Sequence, residues 1–329
     1  MARGKRSGEF ERIARYFAPL AADVPGAFGL RDDCAFLELP EGQELVVKTD
    51  AIVEGVHYLP DDPPELIARK VLRVNLSDLA AKGAMPRWYL LAAAFRSEHD
   101  DAWLAAFARG LARDQAEFDI RLVGGDTVAA PGPAQFSVTA LGTVKASWGL
   151  RRSGAHAGDD IYVTGTIGDG ALGLMVRRGE LGSLKPRQRD HLVDRYRLPR
   201  PRVSLGHHLL GVATAALDVS DGLVADLGHL CESSGLSAVI EEDKVPLSPA
   251  ARAAVTGNTA LMENVLTGGD DYEILFTAPA SAAKVLEHRA SESKTPITRI
   301  GRTASGKGVS VVDPAGKRRV LARGGWTHS

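Results

Sequence analysis

The 329-residue sequence holds only two cysteines, Cys34 and Cys231, far apart and with no CxxC pair. That scarcity excludes a disulfide framework and a cysteine metal centre, and a reducing cytoplasm is the expected home. The histidines show no HxxxH or Cys/His spacing, which argues against zinc. Excess charge is missing too: 40 Lys+Arg against 41 Asp+Glu leave a net charge of −1. No bulk positive field is present to hold a nucleic-acid backbone or an anionic membrane. Long apolar runs are absent as well, since LLAAAF near residues 90–95 is closed by Arg96, Glu98 and His99, well short of the roughly 18 residues of a membrane span. The basic start MARGKRSGEF runs into Glu9 and Glu11 without the apolar core of a signal peptide, so export is not expected. Gly4-Lys5-Arg6-Ser7 lacks the spacing of a Walker loop, and the protein-kinase signatures HRDxxxxN and DFG do not occur. Short-period repeats and heptads are lacking.

What is present is average globular composition, 44% hydrophobic and 25% charged, in a chain long enough for roughly two domains. Val- and Ile-rich runs alternate with helical patterns, which marks an α/β or α+β protein. In the first half, strands are predicted at Glu44–Thr49, Trp88–Phe95, Arg121–Val123 and Gln135–Val144. Helices are predicted over Pro64–Lys82, with Gly83 as its left-handed stop, and over Asp101–Phe118, capped by Asp100 or Asp101. Loop composition across Ala146–Asp159 places the domain boundary there, giving residues 1–148 and 149–329. The second half opens with a strand at Asp160–Thr164 and continues with helices over Ala171–Arg178 and Pro186–Arg197, the Gly179–Pro186 stretch between them reading as a loop.

The informative feature is where the aspartates fall. Asp32-Asp33, Asp50, Asp126, Asp218 with Asp221, and Asp270-Asp271 each follow an apolar run or a glycine turn. In an α/β scaffold those are the places where carboxylates are displayed. Asp78 joins them from the helix RKVLRVNLSDLAAKGA, one turn beyond Asn75. Singly, each reads as a cap or turn residue. Converging in one cleft, they would repel one another unless cations lay between them, and Mg²⁺ suits oxygen donors and phosphate substrates. Gly168–Gly173 matches GxGxxG after a strand, but the stretch KPRQRDHLVDRYR stands where a nicotinamide site needs a second strand ending in an acid, so a tight turn is the expected role. Gly124-Gly125 and Gly268-Gly269 offer either close backbone approach to phosphate or ordinary turns.

In order along the chain, GEFERIARYF, RDDCAFLE, VVKTDAIVEGVHY, KVLRVNLSDLAAKGAMPRWY, LVGGDTV, RRSGAHAGDDIYVTGTIGDGALGL, LDVSDGLVADLGHL, LTGGDDYEILF and the terminal GGW resemble the thiamine-monophosphate kinases of the aminoimidazole ribonucleotide synthetase-like superfamily. The resemblance implies an α+β fold of two α/β-type domains, the first a mixed sheet with helices, the second a sheet covered by helices. It implies direct transfer of the ATP γ-phosphoryl group onto thiamine monophosphate to give thiamine diphosphate, with several Mg²⁺ ions and a homodimer. Carried over by position, Asp33, Asp50, Asp78, Asp126 and Asp218 would hold Mg²⁺, with Thr49 and Asp221 beside the ions, and Asp50, Asp126 and Asp218 at the catalytic centre. Gly125, Asp126, Arg152 and Ser220 would meet ATP, and His57, Asp270 and Trp326 the thiamine substrate. The chain departs from the family pattern at Arg31, where Gly is common, at Lys48, where Ser or another small residue is common, and at Asp270, where Glu is common. Alternatives are another ATP-using enzyme of the superfamily, or a non-catalytic nucleotide or metal binder. Selenophosphate synthetase needs a reactive Cys or selenocysteine near the N-terminus, and neither end of this chain carries one.

Overall fold

A computed structural model describes residues 8–182, 184–321 and 324–325. The chain divides into two compact units, one formed by residues up to Leu79 and by Met85–Ala146, the other by Ala80–Ala84 and residues from Ser147 onward. Among the described residues no helix is long and apolar enough to cross a membrane.

The first unit opens with α1 (Glu9–Arg12) and short helical turns, and then builds β1 (Gln43–Val53), α2 (Pro64–Ala81), β2 (Met85–Arg96), α3 (Asp101–Phe118), β3 (Arg121–Ala130) and β4 (Gln135–Lys145). Its sheet runs β1-β4-β2-β3, antiparallel except for the β2–β3 pair. One face is covered: Tyr89 Oη donates to Gln115 Oε1 on α3 at 2.9 Å, and Phe107 of α3 meets Phe95 of the sheet edge-on and Phe136 at a tilt. Gly110 lets α3 approach α2, because a Cβ there would stand 2.3 Å from the Glu65 carbonyl oxygen. Between the two helices the fully buried Asp114 accepts from Arg69 Nε at 2.7 Å and from Arg73 Nε and Nη2 at 2.7 and 2.9 Å. The other face leaves Leu45, Val47 and Leu90 exposed along β1 and β2, but near β3 it is covered by the N-terminal segment, where Val123 packs with Ala21 and Ala27.

Two strands run further than their composition predicts. β1 continues through Asp50 to Val53, and β3 through Gly124, Gly125 and Asp126 to Ala130. The ladders explain both extensions: Asp50 pairs with Val138, and Gly125 with Leu91. Gly125 is a packing requirement there, since a Cβ would lie 1.9 Å from the Leu91 carbonyl oxygen. Asp50 and Asp126 are thus strand residues, not residues of a following turn. The helix ends agree with expectation: Asp100 accepts from Trp103 N at 2.8 Å, and Gly83 takes a φ of 71°.

The second unit holds β5 (Asp160–Thr164), α4 (Asp169–Arg177), α5 (Pro186–Arg197), α6 (Val203–His208), β6 (Ala215–Asp218), α7 (Leu223–Ser234), β7 (Leu236–Glu241), α8 (Pro249–Gly257), α9 (Leu261–Thr267), β8 (Ile274–Ala278), α10 (Ala283–Ser293), β9 (Ile297–Ser305) and β10 (Gly308–Val312). Its six strands are ordered β10-β7-β9-β5-β8-β6, with only β10–β7 parallel. Ile161, Val163, Leu172, Leu227, Ile240 and Leu275 are fully buried in its core. The GxGxxG match is a tight turn into α4. Its amides are taken internally, Gly168 N donating to both Asp271 carboxylate oxygens at 2.9 Å and Gly170 N to Oδ1 at 3.3 Å. A dinucleotide pyrophosphate has no such amides left to bind.

Candidate active site

In the first unit, β1 and α2 bring Lys48, Asp50 and Asp78 together. Positions two apart on a strand share a face, so Lys48 and Asp50 both turn toward α2, where Asn75 and Asp78 lie one turn apart. Asn75 fixes the register, its Nδ2 donating to Val71 O and its Oδ1 accepting from Asp50 N, both at 2.9 Å. Lys48 Nζ then stands 3.2 Å from Asp50 Oδ1 and 3.0 Å from Asp78 Oδ2. Burial pushes the Asp50 carboxyl up, Lys48 pulls it back, and Asp78 adds to the rise. For Lys48, burial lowers the pKa, but the two carboxylates outweigh it and hold the ammonium above its ordinary value. Thr49 faces the opposite side of the sheet, with its Oγ1 donating to Val138 O at 3.1 Å.

A second acidic group lies at the other edge of the sheet. Asp32, Asp33, Gly124, Gly125, Asp126 and Thr127 line a cavity of about 150 Å³. Asp32 is engaged locally, accepting from the amide of the next residue, Asp33 N, at 2.7 Å. The approach to it is unusual backbone: Phe28, Gly29 and Leu30 have φ values of 50°, 62° and 57°, a conformation two of the three adopt at a cost. Asp126 is therefore separated from Asp50 by β4 and β2. His57 closes the turn after β1, its Nδ1 accepting from Val53 N at 3.1 Å, which puts the proton of the neutral ring on Nε2.

In the second unit, two loops are stitched together. Asp270 N donates to Ser220 O and Tyr272 N to Val219 O, both at 2.8 Å. Gly269 makes this possible, for a Cβ there would lie 2.2 Å from Ser220 O. Asp218, Ser220, Asp221 and Asp270 thereby share one neighbourhood, and Asp270 itself has a φ of 64°. Asp226, on the first turn of α7, gathers the amides of Ser220, Asp221 and Gly222 on its Oδ2 at 3.0, 3.0 and 3.2 Å. Burial and the neighbouring Asp221 push its carboxyl up to about 7, against the pull of those amides. The segment of Arg152 runs beside β6, with Ala216 N donating to Arg151 O at 2.8 Å and Ser234 Oγ to Arg152 O at 3.3 Å. Trp326 lies outside the described residues.

Behind the second loop, Glu273 is fully buried and accepts from Thr164 Oγ1 at 2.6 Å, from Arg202 Nε and Nη2 at 2.6 and 2.5 Å, and from Arg195 Nη2 at 3.0 Å. Asp226 and Glu273 are buried supports that sequence reasoning missed; the available signal for Asp226 was an acid in the first turn of the helix after SDG, and for Glu273 no local signal exists. Asp271, read from the sequence with Asp270 as a displayed carboxylate, is instead buried and accepts from the Gly168 and Gly170 amides.

The expected metal ligands are carboxylate and hydroxyl oxygens, the donor chemistry of a hard divalent cation. Asp50 and Asp78 already close on a cation, the Lys48 ammonium, which shows that the pair suits positive charge. Among the described residues no three His, Cys, Asp or Glu side chains gather around one point that could hold a metal.

Comparison with known proteins identifies the class first. Residues 31–144 match the model for AIR synthase related protein, N-terminal domain, and residues 156–314 match the corresponding C-terminal domain. A thiamine-monophosphate kinase of Caulobacter vibrioides is 42% identical over 323 residues, 97% of this chain and 90% of that one. The crystal structure of thiamine-monophosphate kinase from Stenotrophomonas maltophilia K279a is 42% identical with a TM-score of 0.80, covering 86% of this chain and 89% of that one. A structure described as AaThiL complexed with AMPPCP and TMP is 32% identical with a TM-score of 0.77, covering 100% and 99%. Two AIR synthase related domains thus define the chain as a member of that superfamily. Within it, the chain belongs to the thiamine-monophosphate kinases, which are phosphotransferases.

Proposed function

We propose that this chain catalyses direct, Mg²⁺-dependent, in-line transfer of the ATP γ-phosphoryl group onto the phosphate of thiamine monophosphate, yielding thiamine diphosphate and ADP. The observation that carries the reading is the likeness to a thiamine-monophosphate kinase over 97% of the chain, joined to carboxylates without an evident general base. The acceptor phosphate needs little deprotonation near neutral pH, so the protein's task is to position two anions and offset their repulsion.

In this reading Asp33, Asp50, Asp78, Asp126, Asp218 and Asp221 hold Mg²⁺, with Thr49 beside the ions. When bound, the metal neutralises phosphate charge and stabilises the transferring group. Gly125, Arg152 and Ser220 meet ATP, the guanidinium offering its forked donors to phosphate oxygens. Asp226 holds the loop through its amides, the Ser220 amide included, and so sets the Ser220 hydroxyl for that contact. His57, Asp270 and Trp326 meet the thiamine moiety, a flat cation suited to an acid and an aromatic face. Asp270 reaches one methylene less far than the Glu common in the family. A homodimer fits the open face carrying Leu45, Val47 and Leu90, an apolar surface that a second copy would cover; sedimentation tests it. The expected setting is the cytoplasm.

A coupled assay tests the reaction. ADP release from ATP should require both Mg²⁺ and thiamine monophosphate and be matched by thiamine diphosphate; ATP binding without product would favour a non-catalytic nucleotide binder.

A further inference from the structure

Two carboxylates that face each other from a strand and a helix need a cation between them. The family resemblance implies that Ser or another small residue is common two before Asp50, and a side chain of that size would leave the need to a bound metal. Here the residue is Lys48, and its ammonium lies 3.2 Å from Asp50 Oδ1 and 3.0 Å from Asp78 Oδ2, hydrogen-bonding distance to both. The arrangement is built in. Strand alternation aims Lys48 at α2, Asn75 locks β1 to α2 through the Asp50 amide, and the lysine stem is only about a third exposed. A divalent ion seated between the two carboxylates would have to displace an ammonium tied to both of them.

We infer that Lys48 is a resident cation that takes the place of one divalent ion between Asp50 and Asp78, so that this chain binds one metal ion fewer than the same chain with a small residue at position 48. The inference rests on the metal reading given under Proposed function. Its local charge arithmetic is simple: two carboxylates and one ammonium leave −1, a weaker lure for a divalent ion than the −2 of the pair alone.

The test counts Mn²⁺ bound by the full chain without nucleotide, using the loss of the free-ion electron paramagnetic resonance signal, in wild type, Lys48→Ser and Lys48→Arg. Lys48→Ser should bind one additional Mn²⁺ per chain, or bind the same number with at least about tenfold tighter affinity at one site, while Lys48→Arg keeps the wild-type count. An unchanged count and affinity in Lys48→Ser, with wild type binding Mn²⁺ elsewhere, overturns the resident-cation inference and leaves the metal reading intact. Absence of Mn²⁺ binding in all three proteins overturns both. If the serine variant does not fold, Lys48→Met preserves the stem and removes the charge, and the same two outcomes decide.

Discussion

The two units neutralise their acids by different means. In the first, Asp50 and Asp78 sit at an accessible edge and close on a side-chain ammonium. In the second, Asp226, Asp271 and Glu273 are buried and closed by backbone amides or by arginines. The ammonium engages one oxygen of each of two carboxylates that solvent still reaches, 38% of the Asp50 side chain and 16% of the Asp78 side chain being exposed, whereas the amides and arginines of the second unit close carboxylates that are buried. The first unit's carboxylates are therefore available for chemistry, and the second unit's buried ones shape the loops that carry Ser220, Asp221 and Asp270. The distinction depends on place and not on burying charge as such: Asp114 of the first unit is also buried between two arginines, but it ties α2 to α3.

The largest expected effect separates the two kinds of acid most sharply. Asp50→Asn should lower kcat by about a thousandfold or more, because it removes charge that stabilises the transition state, while the thermal melt stays within a few degrees of wild type. Near-normal turnover in the coupled assay, or loss of the fold, would break the comparison from the first unit's side. Glu273→Gln should do the reverse. It leaves the buried Arg195 and the half-buried Arg202 without their full partner, at about 3–5 kcal/mol, so a depressed melting temperature is the primary readout and reduced turnover follows from the altered loop. An unshifted melt would show that the second unit's carboxylate is not scaffolding. Asp226→Ala is expected to cost less, about 1–3 kcal/mol, since it strips the shared acceptor from three loop amides. Steady-state kinetics should show KM for ATP rising more than KM for thiamine monophosphate; equal rises would detach Asp226 from the nucleotide loop.

Much of this was legible in the sequence. The helix over Pro64–Ala81, its stop at Gly83 and the Asp100 cap come from local rules, and locally those rules were not opposed. The same rules ended β1 before Asp50 and β3 before Gly124, because Asp and Gly are poor strand formers. Pairing to β4 and β2 overrides that preference, and the closeness of Leu91 O to Gly125 is invisible without the partner strand. Lys48 stood out as a departure, but its destination between Asp50 and Asp78 depends on where α2 lies. Glu273 is the extreme case. Its partners Thr164, Arg195 and Arg202 are between 71 and 109 positions away, so a lone Glu entering a strand carries no hint of its clasp.

The two cysteines give the smallest and most local check on how differently the units expose their side chains. Cys34 of the first unit is exposed beside Asp33, whereas Cys231 of the second is buried in the core with its thiol pushed up to about 11 by burial. The thiolate is the reactive form, so Cys231 is protected both by access and by protonation. A thiol reagent at about pH 8 should modify Cys34 in the native protein and Cys231 only after unfolding, as read by mass spectrometry of the two peptides. On the proposed reading, which puts Asp33 among the metal ligands, adding Mg²⁺ with an ATP analogue should slow modification of Cys34 and leave Cys231 unchanged. Fast native labelling of Cys231 would mean that the second unit opens more readily than its packed core implies, and the contrast between an accessible edge and a fixed scaffold would fail there first.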